Sequence, residues 1–281
     1  MTRVLIAGAD SYLGTHIAAH LTQSGMDVET LDVRRPLPDA AFVGADAVVH
    51  VAGLAHQRES AENAPLYFQV NRDLTLTVAA QAKAQGVKQF IYFSSMSVYG
   101  LFVGRITGAT LPAPNTSYGR SKWEAEEGLR AMESDGFSVA VLRPPMVYGK
   151  GCKGNYPRLA KLICKTPVFP KAGNERSMLY IDCLCAFVRR LVENGGGGLF
   201  FPQNQAYVST DDLAREVAKA HGKRLWQPTG LGWLLRALSP SVPTIGKVFG
   251  TLTYDRDMSA AFGDEPQPDF ARTIAQTEGS E

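Results

Sequence analysis

Residues 3–14 read RVLIAGADSYLG, and the fold turns on this stretch. Val4 to Ala7 form a short apolar run. From Tyr12 onward the pattern becomes helical, with Leu13, Ile17 and Leu21 on one face. Between the two lie Gly8 and Gly14, with Ser11 where a middle glycine would complete a G-x-x-G-x-x-G loop. A strand, a glycine turn and a helix N-terminus aim backbone N–H groups at one spot, and such groups attract phosphate. Alone, the loop is equally consistent with an ordinary tight turn.

Asp27–Leu31 reads as a second strand, and Asp32 follows it, eighteen residues after Gly14. A carboxylate there can accept both ribose hydroxyls of an adenosine. Loop, buried strand and acid together favour a dinucleotide over a plain turn. Arg3–Ala7, Ala47–Ala52 (AVVHVA), Gln89–Ser94 (QFIYFS) and Ser138–Arg143 read as further strands. Tyr12–Gln23, Glu62–Gln85 and Tyr118–Glu133 read as helices. Alternation of this kind implies βαβ units and a parallel α/β sheet covered on both faces. Only fourteen residues separate Asp32 from Ala47, and two are prolines. A parallel crossover needs a dozen or more residues, so a contracted sheet edge is expected here.

Past Arg143 the pattern loosens. Ser177–Asp182 is strand-like, and Asp182–Glu193 reads as a helix ended by the glycines from Gly195 to Gly198. Ser209–His221 reads as a helix capped by Ser209 or Thr210, with Asp211 and Asp212 in its first turn. The expected organisation is a dinucleotide-binding domain over residues 1–150, to which 174–194 return. A smaller substrate lobe takes 151–173 and 195–281. The polar tail from Gly263 to Glu281 is expected to be disordered.

The chain has 281 residues, 45% apolar and 20% charged, with net charge +2. That balance gives no footprint for nucleic acid. Cys152, Cys164, Cys183 and Cys185 lack metal-type spacing and are read as reduced thiols. His50 on a buried strand and His56 on a loop are read as structural, and no metal site is expected. The N-terminal apolar run is too short for a signal peptide, and no stretch approaches the ~18 apolar residues of a membrane span. A cytoplasmic protein without a membrane span is expected. The nearest apolar segment, Gly230–Val242, is cut short by Pro240 and Pro243. It is read as a surface helix packed on its own domain rather than as an interfacial helix.

The stretch SYGRSK places Tyr118 and Lys122 four apart at a helix start, on one face. A free tyrosine has a pKa near 10, and a neighbouring ammonium should lower it. The pair then suits proton transfer on an alcohol or sugar oxygen. Ser95, just past the strand Gln89–Ser94, offers a hydroxyl to hold the reacting oxygen beside Tyr118.

With these residues in view, the chain resembles the extended short-chain dehydrogenases/reductases of the nucleotide-sugar epimerase/dehydratase family. The matching stretches are the Gly8–Gly14 loop, Asp32, DAVVHVAG (46–53), Asn71, SSMSVYG, YGRSK, RPPMVYG (143–149) and ERSMLYID. The resemblance implies a Rossmann-type doubly wound sheet with a small C-terminal substrate lobe. It implies a catalytic set of Ser95, Tyr118 and Lys122, with Lys122 also holding the nicotinamide ribose. It carries Gly8, Ser11, Tyr12, Leu13, Gly14, Asp32, Ala52 and Lys122 over as cofactor residues. Ser11 is expected to offer its backbone N–H and its hydroxyl. Asn71 resembles the asparagine that ties the central helix to the active-site strand. Asn155 and Arg176 match positions that bind the nucleotide diphosphate, with Ser95 on the sugar. Two departures stand out. The 4,6-dehydratases carry an Asp-Glu pair where this chain has Met96 and Ser97, so dehydration is not expected. Met146 stands where some epimerases place a sugar-contacting asparagine.

The reading that follows is an NAD-dependent oxidoreductase, with NADP as an alternative cofactor. It acts on a nucleotide-activated hexose, with hydride transfer at C4, as a reductase of a 4-keto sugar. A 4-epimerase with tightly held NAD is the alternative, and a non-catalytic nucleotide-binding relative is a second. A homodimer is the expected assembly.

Overall fold

A computed structural model describes residues 1–38, 40–55, 57, 59–238, 240–262 and 267–279. His56 lies outside them. In chain order the elements begin β1 (Arg3–Ala7), α1 (Tyr12–Gln23), β2 (Asp27–Leu31) and β3 (Ala47–His50). Next come α2 (Ala64–Phe68), a π-helical turn (Gln69–Asp73), α3 (Leu74–Ala84), β4 (Gln89–Phe93) and β5 (Gly104–Ile106). There follow α4 (Ser117–Ala131), β6 (Ser138–Leu142), β7 (Met146–Tyr148), α5 (Asn155–Lys165), β8 (Met178–Tyr180), α6 (Ile181–Asn194) and β9 (Gly198–Phe200). The chain closes with α7 (Thr210–Ala220), α8 (Gly232–Leu238), α9 (Pro243–Phe249), β10 (Leu252–Tyr254) and α10 (Phe270–Glu278).

The chain divides into two compact units. The first comprises residues 1–100, 111–144 and 181–202. Its sheet has the order β2-β1-β3-β4-β6-β9, with every pairing parallel. The β-branched and aromatic runs VLIA, AVVH, QFIYF and SVAVL suit strands covered on both faces, and β3 and β4 are buried along their whole length. The alternation implied this parallel sheet, and the resemblance its doubly wound Rossmann type.

The edge next to β2 is contracted, as the short connection required. The return from β2 to β3 runs through turns, without a helix or an added strand among the described residues of 32–46. β2 is therefore an edge strand, and three of its five residues are exposed. At the opposite edge β9 begins inside the glycine run. Gly195, at φ 64°, ends α6, and Gly198 opens the strand. The run thus ends a helix and also starts a strand, which its composition did not reveal.

The second unit comprises residues 101–110, 145–180 and 203–281. It holds the pairs β5–β10 and β7–β8. Over its described length the tail carries the helix α10. Asp269 caps α10 by accepting from the amides of Ala271 and Arg272, and Thr273 and Ile274 are buried. The hydroxyls of Tyr148 and Thr273 lie 2.8 Å apart, and Tyr156 donates to Glu278 at 2.7 Å. Few apolar residues suffice because Phe270 and Ile274 fall on one helical face.

Candidate active site

β4 ends at Phe93, and the chain leaves the sheet through Ser94 and Ser95. Ser95 caps a short 3₁₀ turn, accepting from the Ser97 amide at 3.1 Å. α4 then starts with Thr116 as N-cap, its hydroxyl accepting from Gly119 N at 3.1 Å. A side chain at Gly119 would meet the Ser97 carbonyl at 2.7 Å. Glycine at that position therefore lets α4 lie directly against the Ser95–Ser97 turn. The result brings the Ser95 hydroxyl close enough to Tyr118 to bear on its ionisation, within the first unit. The Tyr67 ring meets the Tyr118 ring edge-on, centroids 6.2 Å apart.

Lys122, one turn further along α4, is 5% exposed. Its ammonium donates to the Phe93 carbonyl at 2.8 Å and sits 4.9 Å from the Tyr92 ring centroid. Burial lowers its pKa to about 8, against which the Glu126 carboxylate pulls it up. For Tyr118 the expected depression by a neighbouring ammonium is not what governs. Burial pushes the phenol above its ordinary range, and the nearby Ser95 hydroxyl only partly opposes that. Tyr118 at neutral pH is a protonated phenol, a proton donor rather than a ready base. His50 is fully buried, and burial followed by the Lys122 charge lowers its pKa to about 3. It is a neutral core histidine, its Nε2 3.0 Å from the Thr75 hydroxyl.

Asn71 works somewhat differently from expectation. Its side chain accepts from Leu54 N at 2.7 Å and donates to Leu54 O and to Ser121 Oγ, each at 3.1 Å. It ties the loop after β3 to α4, and only its backbone carbonyl meets the strand side, accepting from Tyr92 Oη at 3.3 Å. The π-helical turn that carries Asn71 has no signature in hydrophobic periodicity.

Sequence reading also missed a buried cluster behind the site. Arg143 is 3% exposed and Glu126 0%, and they pair at 2.6 Å. Ser94 donates to the same carboxylate, and Arg143 donates to Tyr99 Oη at 2.7 Å. The guanidinium carbon faces the Tyr99 and Trp123 rings at 5.1 and 5.2 Å. Glu126 lies four residues after Lys122, so the sequence signal was a carboxylate continuing the Tyr118–Lys122 face.

At the glycine loop, Gly8 has φ 95°, and a side chain there would meet Ala52 N at 2.6 Å. A side chain at Gly14 would meet the Gly8 carbonyl at 2.5 Å. Both glycines are thus required by close backbone approach. Ser11 departs from expectation. Its N–H donates to Gly8 O at 3.0 Å, closing the turn, and its hydroxyl accepts from Gly14 N at 3.0 Å as the N-cap of α1. Tyr12 and Leu13 open the helix, where first-turn amides lack intrahelical acceptors. A flat glycine turn leading into a helix N-terminus fits a pyrophosphate. Asp32 is already engaged. Arg34 Nε donates to it at 2.7 Å, Arg34 also donates to Asp10 at 2.7 Å, and Arg35 lies 3.7 Å away. These hydrogen bonds, above all from Arg34, hold the Asp32 carboxyl below its usual range.

In the second unit, Asn155 opens α5 and is exposed, and Met146 opens β7. Arg176 is not a surface arginine. Its guanidinium donates to the Gly250 carbonyl at 2.9 Å and the Gly246 carbonyl at 3.4 Å, and burial lowers its pKa to about 10. Its backbone bridges Val208 and Leu252. None of the four cysteines forms a disulfide, and no group of three or more metal-ligating side chains occurs among the described residues. Among them no helix is long and apolar enough to cross a membrane.

Comparison with known proteins shows relatives of this chain in both sequence and fold. The UDP-glucose 4-epimerase of Vibrio cholerae is 30% identical over 278 residues, covering 88% of this chain and 82% of that protein. The N-acetyl-alpha-D-glucosaminyl-diphospho-ditrans,octacis-undecaprenol 4-epimerase of Escherichia coli O157:H7 is 28% identical, covering 79% and 73%. In fold, the chain matches the UDP-glucuronic acid 4-epimerase of Bacillus cereus, solved with NAD. The TM-score is 0.78 at 18% identity, over 99% of this chain and 98% of that one. The sequence pattern of one family spans residues 4–197. The chain therefore belongs to the NAD-dependent epimerase/dehydratase family.

Proposed function

We propose that this enzyme is an NAD(P)-dependent oxidoreductase that reduces the C4 ketone of a diphosphate-linked hexose, with a nucleotide as the favoured carrier. The observation that supports this reading is the placing of Ser95, Tyr118 and Lys122 around the end of β4, and a protonated Tyr118 phenol suits the reductive direction. A ketone that becomes an alcohol takes up a hydride at carbon and a proton at oxygen. Tyr118 supplies that proton, and the Ser95 hydroxyl donates a hydrogen bond to the same oxygen. Lys122 brings a positive charge to the site and holds the nicotinamide ribose. NAD(H), when bound, supplies the hydride. Gly8, Ser11, Tyr12, Leu13 and Gly14 form its pyrophosphate turn, with Ala52 beneath and Asp32 toward the adenosine ribose. Arg176 and Asn155 are assigned to the diphosphate. The guanidinium of Arg176 is held by carbonyls and meets no carboxylate among the described residues, which suits an anionic ligand. Met96 and Ser97 offer no carboxylic acid to expel a hydroxyl, so dehydration has no proton donor there.

A second reading, C4 epimerisation, is favoured by the names of the two relatives above. It uses the same residues, with Tyr118 as base in one half-reaction and acid in the other. An epimerase keeps its nicotinamide through both halves, whereas a reductase exchanges it every cycle. The test is to purify the protein without added nucleotide and measure bound cofactor, then offer UDP-, dTDP- and GDP-linked hexoses and their 4-keto forms. Net oxidation of NAD(P)H with a 4-keto sugar supports the reductase. Stoichiometric NAD that survives dialysis, with epimer interconversion and no net consumption, overturns it in favour of the epimerase. Tyr118→Phe is expected to keep cofactor binding and to lower kcat by about 10²–10⁴. Near wild-type turnover would remove the catalytic assignment in both readings.

A further inference from the structure

The second unit carries an unusual pairing of charge and exposed apolar surface. Residues 150–174 contain six lysines and arginines, residues 222–250 contain four, and neither segment contains an Asp or Glu. The whole chain has 29 basic and 27 acidic residues, so the remainder is acidic, with 19 against 27. The two segments are joined in space. Val168 bridges Trp226, Phe169 N donates to Trp226 O at 2.9 Å, and Lys171 N donates to Pro228 O at 3.0 Å. Gly232, at the start of α8, is tight against Lys171, whose carbonyl a side chain there would meet at 2.7 Å.

This same surface exposes large apolar side chains. Trp226 is 67% and Trp233 66% exposed, with Leu231, Leu234 and Leu162 also in solvent. The helix α8 is thus a surface helix that packs on its own unit through Gly232 and leaves its larger apolar side chains in solvent. Lys161 and Lys165 stand exposed on α5 beside Leu162, while Tyr156, Ala160 and Ile163 turn inward. Isolated exposed leucines need no explanation. Two exposed tryptophans and a leucine helix, in segments that carry ten cations and no Asp or Glu of their own, do.

We propose that this surface of the second unit docks onto an anionic phospholipid bilayer, with Trp226, Trp233 and the α8 leucines entering the interface and the lysines meeting headgroup phosphates. Tryptophan favours the headgroup level because its ring is apolar and its N–H is polar. An interfacial helix binds through buried apolar area plus attraction to anionic lipid. Charge argues against a second copy of this chain as the occupant. A two-fold contact through this surface would set the cations of one copy against the same cations of the other. The proposal goes beyond the catalytic reading and does not depend on it.

The test uses the full chain and vesicles of phosphatidylcholine with and without phosphatidylglycerol. Co-sedimentation is expected only with phosphatidylglycerol, together with a blue shift of tryptophan emission. Binding should weaken as salt rises. Lys161→Ala with Lys165→Ala is expected to weaken it about 25-fold, near fivefold per cation. Trp233→Ser is expected to weaken it by about tenfold and remove most of the blue shift. All of these side chains are exposed, and a thermal melt of each variant checks the fold. No co-sedimentation at low salt would overturn the proposal. So would a blue shift untouched by Trp233→Ser and Trp226→Ser, or a concentration-dependent dimer that Trp233→Ser dissociates while vesicles bind neither form.

Discussion

Replacing Glu126 by glutamine removes one charge from the buried cluster behind the catalytic residues and leaves the shape almost intact. Arg143 cannot shed its proton and is only 3% exposed, so it remains a cation without its counter-charge. Breaking a buried pair from one side typically costs about 3–5 kcal/mol. Two features hold this case toward the lower end. The glutamine carbonyl still accepts a hydrogen bond, and the guanidinium keeps Tyr99 Oη and the faces of Tyr99 and Trp123. Taking about 3 kcal/mol, and about 2–4 °C per kcal/mol for a unit of this size, Tm should fall by about 6–12 °C. Circular dichroism melts of the two proteins in one buffer measure it. Glu126 also raises the pKa of Lys122 through its charge, so the same variant should move the Lys122 ionisation further below about 8. A Tm within about 2 °C of the parent would refute the energetic argument, because desolvation of an unpaired arginine would then be negligible. A melt that falls with no movement of the pH profile would refute the link to Lys122.

The alkaline limb of kcat/KM reports Lys122 in the free enzyme. Its lowered pKa means the ammonium is present below about 8 and lost above it, so kcat/KM should fall tenfold per unit as pH rises past that point. Lys122→Arg, which stays charged, should flatten that limb even if the rate is lower overall, and an unchanged limb would assign it to another group. Asp32→Asn should improve NADP(H) binding relative to NAD(H) by about fivefold, because one repelling charge near the 2′-phosphate is worth about 1 kcal/mol in water. Unchanged relative dissociation constants would mean that Arg34 and Arg35 already neutralise the carboxylate. Gly119→Ala should cost about 1–3 kcal/mol and lower turnover, since the new methyl group meets Ser97 O at 2.7 Å and must push Tyr118 away from Ser95. Full activity in that variant would show that the Ser95–Tyr118 approach has slack.

The parallel sheet was legible because βαβ alternation is a local property. Apolar runs such as AVVH and QFIYF, separated by helical periods, have no other stable burial than between two helical layers. The contracted edge was legible from counting alone, since residues 33–46 cannot hold a helix and an added strand. Tyr118 and Lys122 were legible as a pair because four residues bring side chains to one helix face. Their protonation was not, because it depends on solvent exclusion by Tyr67, Tyr92 and Phe93, which arrive from other elements. The use of Ser11 as a helix cap, the grip of Arg34 on Asp32 and the pairing of Arg143 with Glu126 likewise depend on which partner a polar group meets first. The helix in the polar tail and the exposure of the α8 side chains were not legible in the sequence. The polar helix α10 buries Ile274 and Thr273, whereas α8, rich in leucine, leaves Leu234 and Leu238 in solvent. Composition decides how much apolar surface a segment has, but only the fold decides what lies across from it.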